Sequence, residues 1–242
     1  VVSPDVSVRE TALRILEGAE SSDALEQAIT ALGEVPNVST SELDRVAKIS
    51  RTGADEWTQI SAIRVMQQWL TREALQAKAA RELIRTAEGS HTPMVRGFAI
   101  QAIALEPKAR WPRDVVVALG DLVQNDPTPQ NRSIAALALG QVRGGELTPI
   151  ARESLIAAYG SESDLGTRRS MLLNIVEISG ADAARVLATL PEGSMLAQQD
   201  IADYQEILRS GETRIAAIWD KKLAYDIERG TVIGTEDGED RD

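Results

Sequence analysis

Five amphipathic segments recur along the chain in a common register, and no other feature limits its fold as strongly. Aligned without gaps, residues 25–32, 59–66, 96–103, 132–139 and 168–175 start 34, 37, 36 and 36 residues apart. A further amphipathic segment lies between each pair of rows, so the repeating unit contains two helices. A period in this range with two helices per unit is the sequence mark of stacked helical repeats. Neither helix of such a pair can bury its apolar face alone, so neighbouring pairs must share one continuous core. Apolar periodicity and Gly, Pro, Ser, Asp and Thr punctuation predict helices near 4–18, 21–34, 40–52, 55–69, 71–88, 92–105, 112–124, 128–141, 148–159, 165–178, 181–190, 195–209 and 213–229. Thr40 or Ser41 before Glu42, and Thr92, Thr128 and Thr148 each directly before proline, are the expected N-caps.

Composition agrees with this reading. Alanine occurs 33 times, whereas Trp, Tyr and Phe together supply eight side chains among 242 residues. Strands draw on aromatic and β-branched residues, and no segment alternates apolar and polar residues long enough to form one. The expected class is all-α. Ala28, Ala62, Ala99 and Ala135 occupy one column of the repeat, where small side chains allow close helix stacking. No Cys and a single His exclude zinc ribbons, disulfide scaffolds, Cys nucleophiles and multi-histidine metal centres.

The segments Pro93-Met94-Val95-Arg96-Gly97-Phe98-Ala99 and Ser7-Val8-Arg9-Glu10-Thr11-Ala12-Leu13 resemble the Val-Arg-x-x-Ala core of HEAT repeats. So do Asn131-Arg132-Ser133-Ile134-Ala135 and Ala28-Ile29-Thr30-Ala31-Leu32-Gly33. The resemblance covers roughly residues 4–180 in five helix pairs, with a degenerate sixth to about 209. It implies a right-handed α-solenoid of about six helix pairs, a single domain over 1–229, and a capping helix at 213–229. It also gives Arg96, Arg132 and Arg168 a structural role, tying successive repeats together. Leu25 and Gln59 replace Arg in the first two rows, so that ladder is expected to be incomplete at the N-terminal end. Tetratricopeptide repeats share the period, but the aromatic positions their packing uses are missing.

At about 100° per residue, the Arg column and positions three, four and seven after it share one apolar face, the expected core. The opposite face breaks the expectation of uniform polarity. It carries Trp57, Met94, Phe98, Ile134, Leu137 and Leu173 among polar residues that include Arg64 and Gln101. In HEAT-like folds the second helix of each pair lines the concave surface, so these eight residues form the candidate protein- or peptide-binding groove, anchored by Trp57 and Phe98. Packing between adjacent repeats is the competing explanation. The leading expectation is a non-catalytic scaffold for a protein or peptide partner, a module of a bacterial assembly. The alternatives are a HEAT-like enzyme (bilin-lyase-like, or less favourably DNA-glycosylase-like) and a purely structural or oligomerising spacer.

Charge and motifs narrow the partners. A formal charge of −11 repels phosphate backbones, and the short basic clusters Arg72/Lys78/Arg81/Arg85 and Lys108/Arg110/Arg113 read as solvated faces, so no nucleic-acid partner is expected. No run of about 18 apolar residues is present, which excludes direct insertion into a membrane. No cofactor, metal or catalytic residue is nominated. His91 reads as a surface turn residue, and Asp55/Glu56, Asp200/Asp203 and Asp237/Glu239 read as exposed acids without EF-hand spacing. Trp111 and Trp219 read as core or cap anchors. Residues 230–242, with five acids and one base, read as a disordered acidic tail. The chain starts at Val1, as expected of a processed protein or a fragment, and its compartment is left open between bacterial cytoplasm and periplasm.

Overall fold

A computed structural model describes residues 4–18, 21–106, 110–143, 145–191 and 195–229. The acidic tail at 230–242, including Asp237 and Glu239, lies outside the described residues, as does Lys108. Every regular element among the described residues is helical. In order these are α1 Pro4–Gly18, α2 Ser22–Glu34, α3 Thr40–Thr52, α4 Glu56–Leu70, α5 Glu73–Gly89, α6 Pro93–Ala104 and α7 Arg113–Asn125. They continue with α8 Pro129–Gly140, α9 Leu147–Ser161, α10 Leu165–Ser179, a 3-10 turn at Gly180–Asp182, α11 Ala183–Leu187, α12 Met195–Arg209 and α13 Ile215–Arg229. None is long and apolar enough to cross a membrane.

Each odd-numbered helix from α1 to α9 packs on the even-numbered helix that follows it. The second helices also touch one another in series, α2 to α4 to α6 to α8 to α10, and α3, α5, α7 and α9 form a parallel series. The core lies between the two rows, at the columns the repeat defines. The alanine column and Met171 are buried, as are Ile29, Ile63, Ile100, Ala136 and Leu172 one position later. Small residues set the helix spacing. A Cβ at Gly140 of α8 would lie 2.8 Å from Asn174 Cβ on α10, closer than packed carbons approach, so only glycine fits that crossing.

Two helix starts differ from expectation. Ser39 rather than Thr40 or Ser41 caps α3: its hydroxyl accepts from Glu42 N, and Glu42 Oε2 accepts from Ser39 N at 2.6 Å, a capping box. Helix α9 begins at Leu147, which places Thr148 inside its first turn instead of at the cap. Thr92 and Thr128 stand at the N-caps of α6 and α8, but neither hydroxyl bonds the helix backbone. The Thr128 hydroxyl instead accepts from Arg96 at 3.1 Å, because a buried guanidinium competes better for it.

Arg96 and Arg132 connect successive helix pairs. Arg96 on α6 bonds Asp126, in the turn between α7 and α8, and Arg132 on α8 bonds Glu162, in the turn between α9 and α10. Each acid also caps its own turn: Thr128 N donates to Asp126 and Asp164 N to Glu162, both at 2.8 Å. The third rung does not follow the alignment. Arg168 stacks over the Tyr159 ring at 5.1 Å with its buried Nε unpartnered, and its neighbour Arg169 makes the bidentate pair, with Asp200 on α12. Here the acceptor comes from a later helix, not from the interhelical turn, and α10 presents its second arginine to it. At the N-terminal end no second-helix arginine takes part among the described residues. Arg9 on α1 holds Glu42, and Arg72 donates to the carbonyls of Gly33 and Val35, each at 2.7 Å.

Candidate binding face and the charged cluster beside it

Helices α4, α6 and α8 each pack on the first helix before them and on the second helices to either side, α4 and α8 also on the first helix that follows, and one side of each keeps exposed side chains. On that side Trp57, at the start of α4, is 61% exposed, and Leu137 on α8 is 38% exposed. Met94 and Phe98 on α6, Ile134 on α8 and Leu173 on α10 are half-buried, packed by their inner atoms against the core. Arg64 and Gln101 are exposed. The Arg64 guanidinium lies over the Phe98 ring at 5.8 Å, which joins α4 to α6 across this face, and no ion pair engages it among the described residues. Leu105, at the C-cap of α6 and in the same register, is 55% exposed. Among the described side chains of the first helices, the large exposed apolar residues are Val8 and Val117.

The face ends in a cavity of about 280 Å³ where α10, α12 and α13 meet. Gly166, Ser170 and Leu173 form its α10 wall, and these are the α10 positions that continue the register of Trp57 and Phe98. Tyr204 of α12 and Trp219, Lys222, Leu223 and Asp226 of α13 complete it, with Arg169 at the floor.

Arg169, Lys222 and Asp226 of this lining belong to a cluster of charges largely withdrawn from water. Lys222 Nζ lies 2.8 Å from Asp200, 3.5 Å from Asp203 and 2.6 Å from Asp226, and all four residues are buried. Arg169 reaches Asp200 and Asp226, and Arg229 holds Asp203 at 2.5 Å. Among the described residues, three carboxylates thus meet three cations. Burial pushes Asp203 up, but hydrogen bonds from Arg229 and Gln199 and the charges of Lys222 and Arg229 more than offset it, leaving it below the usual carboxylate range. The Tyr204 phenol is pushed well up, first by burial and then by the neighbouring aspartates. Asp200, Asp203 and Asp226 present oxygens within 4.8 Å of one another, but the Lys222 ammonium already supplies the central cation. The arrangement is a structural clamp that fixes α13 to α10 and α12.

Several expectations change accordingly. Asp200 and Asp203 are buried and paired, not exposed acids, because α13 closes over them. Trp219 is not a core anchor: it is 47% exposed at the cavity rim. Trp111 is buried, and His91 is exposed in the α5–α6 turn. Asp55 caps α4, accepting from Thr58 N at 2.8 Å. Within the first basic cluster Lys78 pairs with Asp44, Arg81 with Asp114 and Arg85 with Glu82, so α5 offers no unneutralised stripe. The sequence reading missed Lys222, whose only signals were a lysine four residues before Asp226 and twin aspartates three apart on α12.

Compared with protein-family models the chain matches none, and no curated protein matches it.

Proposed function

We propose that the chain is a right-handed α-solenoid of about six HEAT-like helix pairs closed by α13, and that it is a non-catalytic scaffold. It holds a protein or peptide segment against the free, concave side of α4, α6, α8 and α10. The observation that carries this reading is the exposure of Trp57 and Leu137, with half-buried Phe98, Met94, Ile134 and Leu173 between and beside them. Apolar groups in register on one side of successive helices, rimmed by Gln101, Gln130 and Gln141, have the make-up of a recognition surface: aromatic anchors in a neutral polar rim. Arg64, without an ion pair among the described residues, adds a cation that fixes the position of a carboxylate or carbonyl on the partner.

The test is recovery of partners from a host lysate by the immobilised full chain and by its Trp57→Ala/Phe98→Ala variant. The reading expects a discrete partner with the native chain and its loss with the variant, while circular dichroism shows the fold unchanged. Equal recovery by both would remove the groove from the account.

A further inference from the structure

Helix α13 departs from the order of the helices before it. Continued alternation would set it in the row of first helices, beyond α11. It packs instead on α12 and stands over the free side of α10. Trp219, Lys222, Leu223 and Asp226 of α13 share one cavity with Gly166, Ser170 and Leu173, the α10 positions in register with Trp57, Phe98 and Leu137. On α8 that side is open and Leu137 is exposed, whereas Leu173 of α10 is half-buried. The last stretch of the proposed binding face is therefore already occupied by a helix of the same chain.

The seam that holds α13 there is ionic. Lys222 and Asp226 are buried in it, with Lys222 bound to Asp200 and Asp203 of α12 and Asp226 to Arg169 of α10. Among the described residues, Ile218 is the one apolar side chain of α13 buried with them. Trp219, Leu223 and Ile227, the stripe a packed helix would bury, are exposed. Charges that leave such a seam are hydrated again, which offsets much of the lost pairing, so α13 is released more easily than a helix held by an apolar seam of equal length. It is also the last of the described helices, joined to α12 through residues 210–214, where Gly211 has φ 83°, and its departure breaks no contact among α2 to α10.

We propose that α13 is an autoinhibitory helix. Docked, it blocks the α10 end of the binding face, and a partner segment reaches Gly166, Ser170 and Leu173 only when α13 is released. Docking of α13 and occupation of α10 by a partner exclude one another, so the ionic clamp sets the affinity of the face. The inference rests on the scaffold reading and names how that same site is regulated.

The experiment opens the helix and locks it. Lys222→Ala/Asp226→Ala takes one cation and one anion from α13, so the charges left in the cluster stay balanced. In the full chain carrying this change, hydrogen exchange should speed up in α13 and stay unchanged in α4, α6 and α8, because an undocked 15-residue helix is marginal in water. Peptides selected by display on the opened chain, measured by fluorescence anisotropy, should bind it at least about tenfold more tightly than the native chain. They should lose affinity several-fold on Leu173→Ala. The chain has no Cys, so Ser210→Cys/Lys221→Cys joined by a bismaleimide locks α13 outside the cavity, where Lys221 donates to Ser210 at 3.1 Å. The locked chain should bind least. Equal affinity of the opened, native and locked chains, with loss on Trp57→Ala/Phe98→Ala, would overturn the proposal and leave the scaffold reading standing. So would a gain on opening that is indifferent to Leu173→Ala, since the peptide would then sit on the released α13 itself. Exchange that accelerates in every helix alike would also overturn it, by showing α13 to be part of one cooperative fold. No enrichment on the opened chain would overturn both readings.

Discussion

Arg96 and Asp126 meet through two hydrogen bonds, Nε to Oδ2 at 2.8 Å and Nη2 to Oδ1 at 3.1 Å, with both side chains buried. Asp126 also accepts from Thr128 N and Asn131 Nδ2, so one carboxylate fixes the Arg96 guanidinium, its own turn and the start of α8. Removing one partner of such a pair leaves an uncompensated charge away from water. Asp126→Ala should therefore destabilise the fold by about 3–5 kcal/mol. Breaking the exposed Arg81–Asp114 pair with Arg81→Ala should cost under ~1 kcal/mol. Urea unfolding of both variants makes the comparison, and similar losses would contradict the buried-pair account.

The last rung separates two adjacent arginines. Arg169→Ala strips Asp200 and Asp226 of a cation inside the clamp and should cost about 3 kcal/mol or more. Arg168→Ala gives up only stacking on Tyr159, worth about 1 kcal/mol, and removes a buried Nε that has no partner. A thermal melt in which Arg168→Ala is the more damaging would show that the aligned arginine is the structural one after all.

That slip marks how far the sequence could be read. The repeat specified the helices to within a few residues and the first two ladder arginines, since both depend on local period and on spacings near 30 residues. Arg168 and Arg169 are equivalent as local pattern. Choosing between them requires knowing that Asp200 arrives from α12, which only tertiary packing decides. Trp219 misled for a related reason. The spacing of Trp219, Leu223 and Ile227 is that of a core seam, and nothing local shows that a paired Lys222 and Asp226 hold the seam instead. The exposure of Trp57 and Leu137, by contrast, lies where the register alone put them.

Glycine at the α8–α10 crossing makes a steric prediction. Gly140→Ala would place its methyl 2.8 Å from Asn174 Cβ and should destabilise by about 1–3 kcal/mol. Gly89, at the exposed end of α5, meets nothing within 4 Å, so Gly89→Ala should be neutral or stabilising by up to ~1 kcal/mol. Calorimetry of the two variants tests the pair.

Acid should dismantle the connections between repeats. Burial raises Asp126 and Glu162, but Arg96 with the Thr128 N–H, and Arg132 with the Asp164 N–H, more than offset it, so both sit below ordinary carboxylates. Glu42 behaves the same way through Arg9 and Ser39. A lowered folded-state pKa stabilises above the unfolded value of about 4 and ceases to do so as pH falls through the folded value. Tm should be nearly flat from about pH 7 to 5 and drop steeply below about 4, and a Tm unchanged down to pH 3 would contradict this.

Site-specific photocrosslinking in the native host tests the central claim most directly. A benzophenone side chain is placed in turn at Trp57, Gln101 and Leu137 on the second helices, and at the exposed Asp121 and Glu153 on the first helices. The account predicts a discrete crosslinked protein from the first three positions and none from the other two. Crosslinks of equal yield from both sets, or none from Trp57, Gln101 and Leu137, would contradict a binding face on the second helices.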